Sequence, residues 1–249
     1  MDLNLLFKLY RTLGWRDFYG RCARRLFDFA VPQTSYSQSG EDTIIDFLFQ
    51  SVGIKPVYLE IGTNHPKYLN NTYKFYRAGC SGVLVEANPL LAKKIRRRRR
   101  RDKLLNVGVG IAGNTSMMFY VMKNDGLSTF SEAEVEQRKQ AGDSVRMAIP
   151  IKMMTINEIL TNYFERCPDL LSIDIEGFDL PVLESMDFDL FSIPVICAET
   201  CQYSTDHIKP NDDSIERFLS TKGYLKYAST YINTIFVNQN WFLNVNRNT

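Results

Sequence analysis

The sequence predicts one α/β domain with a doubly wound, mostly parallel sheet. Short apolar runs alternate with helix-like segments from residue 56 to residue 200, which is the pattern of a parallel sheet with helices on both faces. Two later strand-like runs, 224–227 and 234–238, predict an antiparallel C-terminal edge. The length of 249 residues and the hydrophobic content of 45% suit a single large core.

A helical N-terminal extension, residues 1–35, is predicted to precede a main domain at 36–249. Its apolar side chains recur at spacings of three and four, and Pro32 marks its end. The simpler interpretation is a helical cap that packs on the domain. Because basic residues outnumber acidic ones in this segment, the alternative is peripheral contact of residues 1–30 with a membrane or an acidic partner.

The strands and helices of the main domain follow from local patterns. Each predicted strand is a short apolar run bounded by glycine, proline or polar residues. The helices are assigned from apolar spacing, capping residues and helix-forming composition. In chain order, the predicted strands before the antiparallel edge are 56–62, 81–89, 104–110, 116–122, 169–177 and 194–200. The predicted helices are 40–52, 72–78, 90–101, 131–142, 156–164, 181–186 and 215–222.

Composition favours a cytoplasmic protein, with membrane association as the alternative. No stretch of 18 apolar residues is present, and the first residues are a poor match to a signal peptide. The five cysteines are scattered, and Cys197 and Cys201 lack a second pair that would complete a zinc site. Reduced thiols are therefore the simpler interpretation.

Polar residues stand at the carboxyl ends of the predicted strands, where ligands bind in open α/β sheets. Four of these five strand ends carry a carboxylate. Clustered acids repel each other, so this arrangement predicts a cation or a hydroxyl-rich ligand. The residues are Glu60, Gly62, Thr63 and Asn64 at the first end, Glu86 and Asn88 at the second, Asn106 and Gly108 at the third, Asp174, Glu176 and Gly177 at the fourth, and Glu199 and Thr200 at the fifth.

The first of these strand ends predicts a cofactor that carries no phosphate. Its single glycine, Gly62, does not form the Gly-x-Gly-x-x-Gly pattern of pyrophosphate binders, because His65 and Pro66 follow it. An acid at Glu60 and one glycine suit a cofactor with an ammonium group. Glu86 lies 26 residues after Glu60, at a position suited to accept the hydroxyls of a ribose.

Several segments spread along the chain together form a recognisable set of motifs. They are 37–42 (Ser-Gln-Ser-Gly-Glu-Asp), 58–64, 70–73, 82–89 (Gly-Val-Leu-Val-Glu-Ala-Asn-Pro), 106–110, 126–131, 171–179 (Leu-Ser-Ile-Asp-Ile-Glu-Gly-Phe-Asp), 223–224 and 233–237. Together these segments resemble the FkbM-type methyltransferases, which are S-adenosylmethionine-dependent O-methyltransferases. The resemblance runs from about Ser37 to Val237 and implies a Rossmann-like methyltransferase sheet. The chain departs from the family at His65-Pro66, where an Asp-Gly-type turn is usual.

The resemblance implies a methyl transfer from S-adenosylmethionine to a hydroxyl of a glycan sugar or a natural product. The general base is left open between Asp174, Glu176 and His65. Alternatively, Asp174, Glu176 and Glu199 hold Mg²⁺ or Ca²⁺, which lowers the pKa of the hydroxyl. The predicted cofactor-binding residues are Glu60, Gly62, Thr63, Asn64, Glu86, Ala87, Asn106, Val107 and Asp174. The predicted substrate-binding residues are Asn71, Ser128, Thr129, Glu199 and His207.

Six consecutive arginines, Arg96–Arg101, are the most conspicuous feature of the composition. On a helix they must point in all directions, so some stems are expected to cover the packing face. The simpler interpretation is a solvated helix. The alternative is a surface for an anionic partner, and a degenerate methyltransferase fold that binds such a partner is the second functional hypothesis. Nucleic acid is disfavoured as a partner because no aromatic residues are interleaved with the arginines. The sequence leaves the oligomeric state open.

Overall fold

The computed structural model describes residues 34–113, 115–175, 177–200 and 213–246. Within them, ten strands form two sheets. A larger sheet has seven strands and a smaller one has three. The strands are β1 (Tyr58–Ile61), β2 (Gly82–Val85), β3 (Lys103–Leu105), β4 (Gly108–Val109), β5 (Ser116–Met122), β6 (Val145–Met154), β7 (Leu170–Ile173), β8 (Val195–Glu199), β9 (Tyr224–Ser229) and β10 (Asn233–Asn238).

The larger sheet has the strand order β3-β2-β1-β7-β8-β10-β9. Strand β1 pairs in parallel with β2 on one side and with β7 on the other. Strand β10 is antiparallel to both of its neighbours, β8 and β9. The predicted fold class is therefore confirmed: a mostly parallel α/β sheet with an antiparallel C-terminal edge. The order of the strands reverses between β1 and β7, and ligands bind in open α/β sheets at such a switch point.

Both faces of the larger sheet are buried, as parallel sheets require. Every residue of β1 is buried. On one face Leu59 and Ile61 join an apolar cluster that continues into β2 and β7. On the other face Tyr58 joins a second cluster. Because side chains alternate along a strand, Glu60 points to the same face as Tyr58.

Eight α-helices lie within the described residues, and most begin where the sequence predicts. Thr155 and Glu158 form a reciprocal capping box at the start of one helix. Asn88 caps another, and Pro89 occupies its first position. The helices are Glu41–Ser51, Tyr73–Arg77, Pro89–Arg98, Glu132–Gln140, Ile156–Tyr163, Asp179–Glu184, Ser214–Thr221 and Gln239–Asn246.

The smaller sheet, in the order β4-β6-β5, differs from the sequence prediction. The single strand predicted at 104–110 is wrong, because β3 and β4 belong to different sheets and Asn106 and Val107 lie between them. The long strand β6 was not predicted, and Pro150 in its middle argues against a strand. Strand β4 pairs only with Met153 and Met154, so β6 has an open side at Pro150 where a missing N–H is tolerated.

Some predictions fall outside the described residues. The N-terminal helical extension lies almost wholly in 1–33, so the domain boundary at 35/36 stays a prediction. Cys80, Cys167 and Cys197 are free thiols. In the part of the chain that the structure describes, no helix is long and apolar enough to cross a membrane.

Candidate functional site

A cleft opens at the carboxyl ends of β1, β2 and β7, at the switch point of the larger sheet. The smaller sheet and the segment around residues 126–134 form its opposite wall. Gly62, Glu86 and Asp174, which stand at three of the predicted strand ends, all line this cleft. The lining residues are Ile61, Gly62, Asn64, Val85, Glu86, Ala87, Asn88, Leu91, Val107, Gly108, Val109, Met117, Phe119, Gly126, Ser128, Thr129, Phe130, Ser131, Glu134, Met153, Asp174, Ile175 and Phe178.

The turn after β1 lies directly against the end of β7. Gly62 has a φ of 84°, and a Cβ atom built on it would lie 1.8 Å from the backbone oxygen of Asp174. Only glycine fits this position, because any side chain meets backbone there and the φ is left-handed. Its N–H donates to the carbonyl oxygen of Val85 at 3.1 Å, which ties the turn to β2 as well. Three strand ends therefore meet at Gly62.

The turn after β7 is held by the buried carboxylate of Asp179. Its two oxygens accept the backbone N–H groups of Ile175 and Gly177, both at 3.2 Å. This fixes the segment that carries Asp174, which is half-buried and lines the cleft. In the sequence, Asp179 stands only as the last residue of the 171–179 motif, and no role was predicted for it.

Glu86, at the end of β2, is a buried carboxylate that lines the cleft. One of its oxygens accepts the N–H of Asn64 at 2.7 Å, and the other accepts the N–H of Asn88 at 2.8 Å. Burial raises the pKa of Glu86 to about 7, although both backbone hydrogen bonds oppose the rise. Each carboxylate oxygen keeps acceptor capacity, so Glu86 is suited to accept hydroxyl groups from a ligand.

The segment between β3 and β4 shapes the neighbouring wall. Asn106 does not line the cleft. Its Nδ2 donates to the carbonyl oxygens of Glu86 and Ala87, at 2.7 and 3.0 Å, and so fixes the end of β2. Ala87 and Val107 do line the cleft. Asn106 therefore stabilises the cleft wall without facing the cleft.

Asn88 carries an unsatisfied polar atom beside the cleft. Its Oδ1 accepts the N–H of Leu90, but its Nδ2 is buried and has no hydrogen-bond partner among the described residues. Buried polar atoms without partners are rare, and at a site they are compatible with a missing ligand acceptor. Asn88 was predicted at the end of a strand but not as a residue of the site.

The smaller sheet contributes an apolar wall that the sequence did not reveal. Phe119 of β5 and Phe130 pack with ring centroids 4.7 Å apart. Met153 of β6 lies close to Gly108, where a Cβ atom would be 2.5 Å from the methionine sulfur. The wall depends on β6, which carries Met153 and pairs with β5. Because β6 was not predicted from the sequence, the wall was not predicted either. A flat aromatic base or a ligand's apolar portion fits against such side chains.

Ser128 and Thr129, predicted to bind substrate, also line the cleft. The hydroxyl of Ser128 accepts the N–H of Met122 at 3.2 Å, and that of Thr129 accepts the N–H of Ser131 at 3.0 Å. Ser131 is the N-cap of the helix Glu132–Gln140. Both hydroxyls therefore organise the loop.

Besides Asn106 and His65, four of the predicted site residues lie away from the cleft lining. Glu60 and Thr63 are buried beneath the loop. The side chain of Asn71 donates to the hydroxyl of Ser172 at 3.0 Å. Glu199 ends β8, on the far side of β7 from Gly62. These residues can affect a ligand in the cleft only through others.

His65 also lies outside the cleft lining and serves the backbone of its own loop. Its Nδ1 accepts the N–H groups of Lys67 and Tyr68 at 3.1 and 2.9 Å, and its ring stacks on Tyr68. Burial, then the charges of Lys94, Arg98 and Lys67, lower its pKa. The neutral ring stabilises the turn that Pro66 begins.

Two further predicted residues, Glu176 and His207, lie outside the described residues. Their roles stay predictions, and so does the metal site that includes Glu176. Within the described ranges, no group of three or more His, Cys, Asp or Glu side chains could hold a metal ion.

The fold and the cleft define an α/β protein with a cleft at the switch point of its sheet. The methyltransferase FkbM domain matches residues 60–226, more than half of the chain. The chain therefore belongs to the methyltransferase FkbM domain family, as the sequence motifs indicated.

Solved structures show remote likenesses. An O-methyltransferase from Bacillus cereus in complex with SAH is 15% identical, with a TM-score of 0.42, and the match covers 94% of this chain and 96% of that chain. A TehB-like SAM-dependent methyltransferase from Corynebacterium glutamicum is 9% identical, with a TM-score of 0.41, and the match covers 88% and 97%. No curated protein matched the sequence. The family match alone carries the assignment.

Proposed function

We propose that this protein transfers a methyl group from S-adenosylmethionine to the oxygen of a hydroxyl group, on a glycan sugar or a natural product. The observation that carries the proposal is the junction of Gly62 with the end of β7. It puts a side-chain-free turn beside Asp174, with the carboxylate of Glu86 on the adjacent strand. Family membership supports the reaction class, and the resemblance of the motifs supports the acceptor class.

The cleft fits the chemical groups of S-adenosylmethionine. Glu86 would accept hydrogen bonds from the ribose hydroxyls. Phe119, Phe130 and Met153 would cover the adenine ring with apolar surface. The turn at Gly62 allows close backbone approach, and no pyrophosphate cradle is present at this turn, in keeping with a ligand that has no phosphate.

Methyl transfer demands positioning more than acid or base strength. When bound, S-adenosylmethionine supplies a methyl group on a cationic sulfonium, and the acceptor oxygen must approach in line with the breaking carbon–sulfur bond. The turns at Gly62 and after β7 would supply that positioning, because the first packs against the backbone of Asp174 and the second is held by the buried carboxylate of Asp179.

The acceptor hydroxyl must also lose its proton. Among the described residues that were predicted as bases, Asp174 is the one that lines the cleft, and its carboxylate would take the proton as the oxygen is methylated. A divalent cation bound partly by Asp174 is the alternative. Activity that survives a strong chelator would exclude the cation.

Calorimetry with S-adenosylmethionine and S-adenosylhomocysteine tests the cofactor directly. We expect both to bind in the cleft, with one site per chain. No heat of binding at millimolar ligand would overturn the proposed function. Transfer of a labelled methyl group to a sugar hydroxyl, scored with and without chelator, then tests the acceptor and the metal.

A second candidate function is binding of an anionic partner through the arginine run. Arg96, Arg97, Arg98 and Arg100 are exposed, which favours it. A triple Gln variant of Arg96, Arg97 and Arg100 should elute from a sulfated-polysaccharide column at lower salt than the wild type. Equal elution would remove this surface from consideration.

A further inference from the structure

Arg99 is the one buried residue in the run of six arginines. It is 1% exposed, whereas the other members of the run are exposed. It follows the last residue of the helix Pro89–Arg98, and its N–H donates to the carbonyl oxygen of Ile95 at 2.8 Å. A buried guanidinium needs partners for its charge and for all of its donors. These partners show what the side chain does.

All five N–H donors of the Arg99 side chain are engaged. Nε donates to Asp102 at 2.6 Å. One terminal nitrogen donates to the carbonyl oxygen of Pro66 at 3.3 Å and to Oδ1 of Asn70 at 3.1 Å. The other donates to the hydroxyls of Tyr58 and Thr72, at 3.2 and 2.8 Å. A guanidinium has five donors, so none is left over.

Two of these contacts lead into the loop after β1. Arg99 binds the carbonyl oxygen of Pro66 directly. It also orients Asn70, whose Nδ2 donates to the carbonyl oxygens of Thr63 and His65, at 3.4 and 3.2 Å. Arg99 and Asn70 therefore hold three carbonyl oxygens on the buried side of the loop. The opposite side of the same loop lines the cleft at Gly62 and Asn64.

The buried charge is balanced by carboxylates on two sides. Burial lowers the pKa of Arg99, but the charges of Glu60 and Asp102 more than offset it, so the net direction is upward. Glu60 accepts hydrogen bonds from Asn70 and Thr72 at 2.9 and 3.1 Å. The hydroxyl of Thr72 thus accepts from Arg99 and donates to Glu60, which links cation and anion.

We propose that Arg99 is a positioning residue for the cofactor, acting through the loop 62–66. This inference rests on the proposed function, because it names what holds the cofactor-binding wall in place. The guanidinium fixes the loop carbonyls, the loop backbone fixes Asn64, and the N–H of Asn64 fixes the carboxylate of Glu86. Arg99 does not itself line the cleft.

Arg99→Lys tests the proposal, because lysine keeps the charge but has three donors in place of five. We expect the Kd for S-adenosylhomocysteine to rise about tenfold, the loss of roughly one net hydrogen bond to the loop. Arg98→Lys, a matched change at an exposed position of the same run, should leave the Kd unchanged. Equal affinity of Arg99→Lys and wild type would overturn the proposal.

If Arg99 only stabilised the fold, any variant of equally lowered stability would bind the ligand as Arg99→Lys does. Ile235→Val, a core truncation on β10 outside the cleft lining, is the control for lowered thermal stability. At a temperature well below the unfolding temperature of every variant, Ile235→Val should bind S-adenosylhomocysteine as the wild type does. In Arg99→Lys, amide hydrogen exchange should accelerate in residues 63–70 of the folded state. Unchanged exchange there would contradict positioning.

Asn70→Ser keeps the proposal testable if Arg99→Lys does not fold. It removes the donors to the loop carbonyls and one acceptor of Arg99, and it leaves the direct bond from Arg99 to Pro66. We expect a similar rise in Kd, and an Asn70→Ser affinity equal to that of the wild type would overturn the proposal. Where Arg99→Lys also folds, the double variant should lose less than the sum of the two single losses, because both residues act on the same loop. Strictly additive losses would overturn the coupling between Arg99 and Asn70. If wild type itself does not bind S-adenosylhomocysteine, the proposed function fails instead.

Discussion

Glu60 and Glu86 look alike in the sequence but lie in two different regions of the molecule. Both are buried acids at the ends of neighbouring parallel strands, and burial raises the pKa of both. Glu60 lies below the loop in a network with Arg99, where Asn70 and Thr72 occupy it. Glu86 lies on the cleft, held only by backbone N–H groups. A buried acid can serve a ligand only if its partners leave acceptor capacity on the open side.

Glu60→Ala and Glu86→Ala form a matched pair of substitutions. Glu60→Ala should have the larger effect, and that effect should be on the free energy of unfolding. It removes the carboxylate that accepts hydrogen bonds from Asn70 and Thr72 and whose charge acts on the buried Arg99. We expect the free energy of unfolding to fall by about 3 kcal/mol in chemical denaturation. A loss under about 1 kcal/mol would mean that Glu60 is not part of the charge balance around Arg99.

Glu86→Ala should instead affect ligand affinity. The freed N–H groups of Asn64 and Asn88 lie beside an open cleft, where water can reach them, so stability should change little. Calorimetry should show the affinity for S-adenosylhomocysteine weakened by about 1–3 kcal/mol. If Glu86→Ala destabilises the chain as much as Glu60→Ala and leaves affinity intact, the contrast between the two acids fails.

The pH dependence of binding sharpens the same contrast. With a pKa of about 7, Glu86 is protonated in the free chain below neutrality, and its ionised form is the better acceptor for hydroxyls. The Kd for S-adenosylhomocysteine should therefore rise as pH falls below 7, approaching about tenfold per unit, and should be flat above pH 8. The curve for Glu86→Ala should be flat throughout; a slope like that of the wild type would assign the proton to another group.

Thr72→Val should give the smallest effect. The change is nearly isosteric and removes the hydroxyl that links Arg99 to Glu60. We expect the free energy of unfolding to fall by about 1–2 kcal/mol, less than for Glu60→Ala. A loss equal to that of Glu60→Ala would show that the hydroxyl, rather than the carboxylate, is the essential partner.

The sequence was sufficient for the parallel centre of the larger sheet and for the residues that end its strands. Alternating apolar runs give β1, β2, β7 and β8, and parallel strands bring their carboxyl ends together whatever packs around them. For that reason Gly62, Glu86 and Asp174 were predicted at strand ends, and all three line the cleft. The apolar runs next to them in the chain were sufficient for that prediction.

The rest depended on contacts between residues far apart in the chain. Glu60 and Glu86 cannot be distinguished without Arg99, which lies 39 residues beyond Glu60 and is hidden among identical neighbours. Strand β6 carries Pro150, which local rules assign to a break. The split between β3 and β4 depends on Asn106, whose side chain bonds to the end of β2. None of these is a property of a local window of sequence.

The run of six arginines determines what the loss of one residue from it would change. Deletion of one arginine codon leaves an arginine four positions after Ile95, because every position from 96 to 101 encodes the same residue. The spacing to the aspartate is what changes: the ion pair between Arg99 and Asp102 spans three residues and would then span two. Asp102 also accepts hydrogen bonds from Tyr58 and from the N–H of Gly82, so it is anchored to β1 and β2. After such a deletion the fourth position of the run is still an arginine. Selection against the deletion would therefore act on the length of the run, because only the spacing to the aspartate has changed.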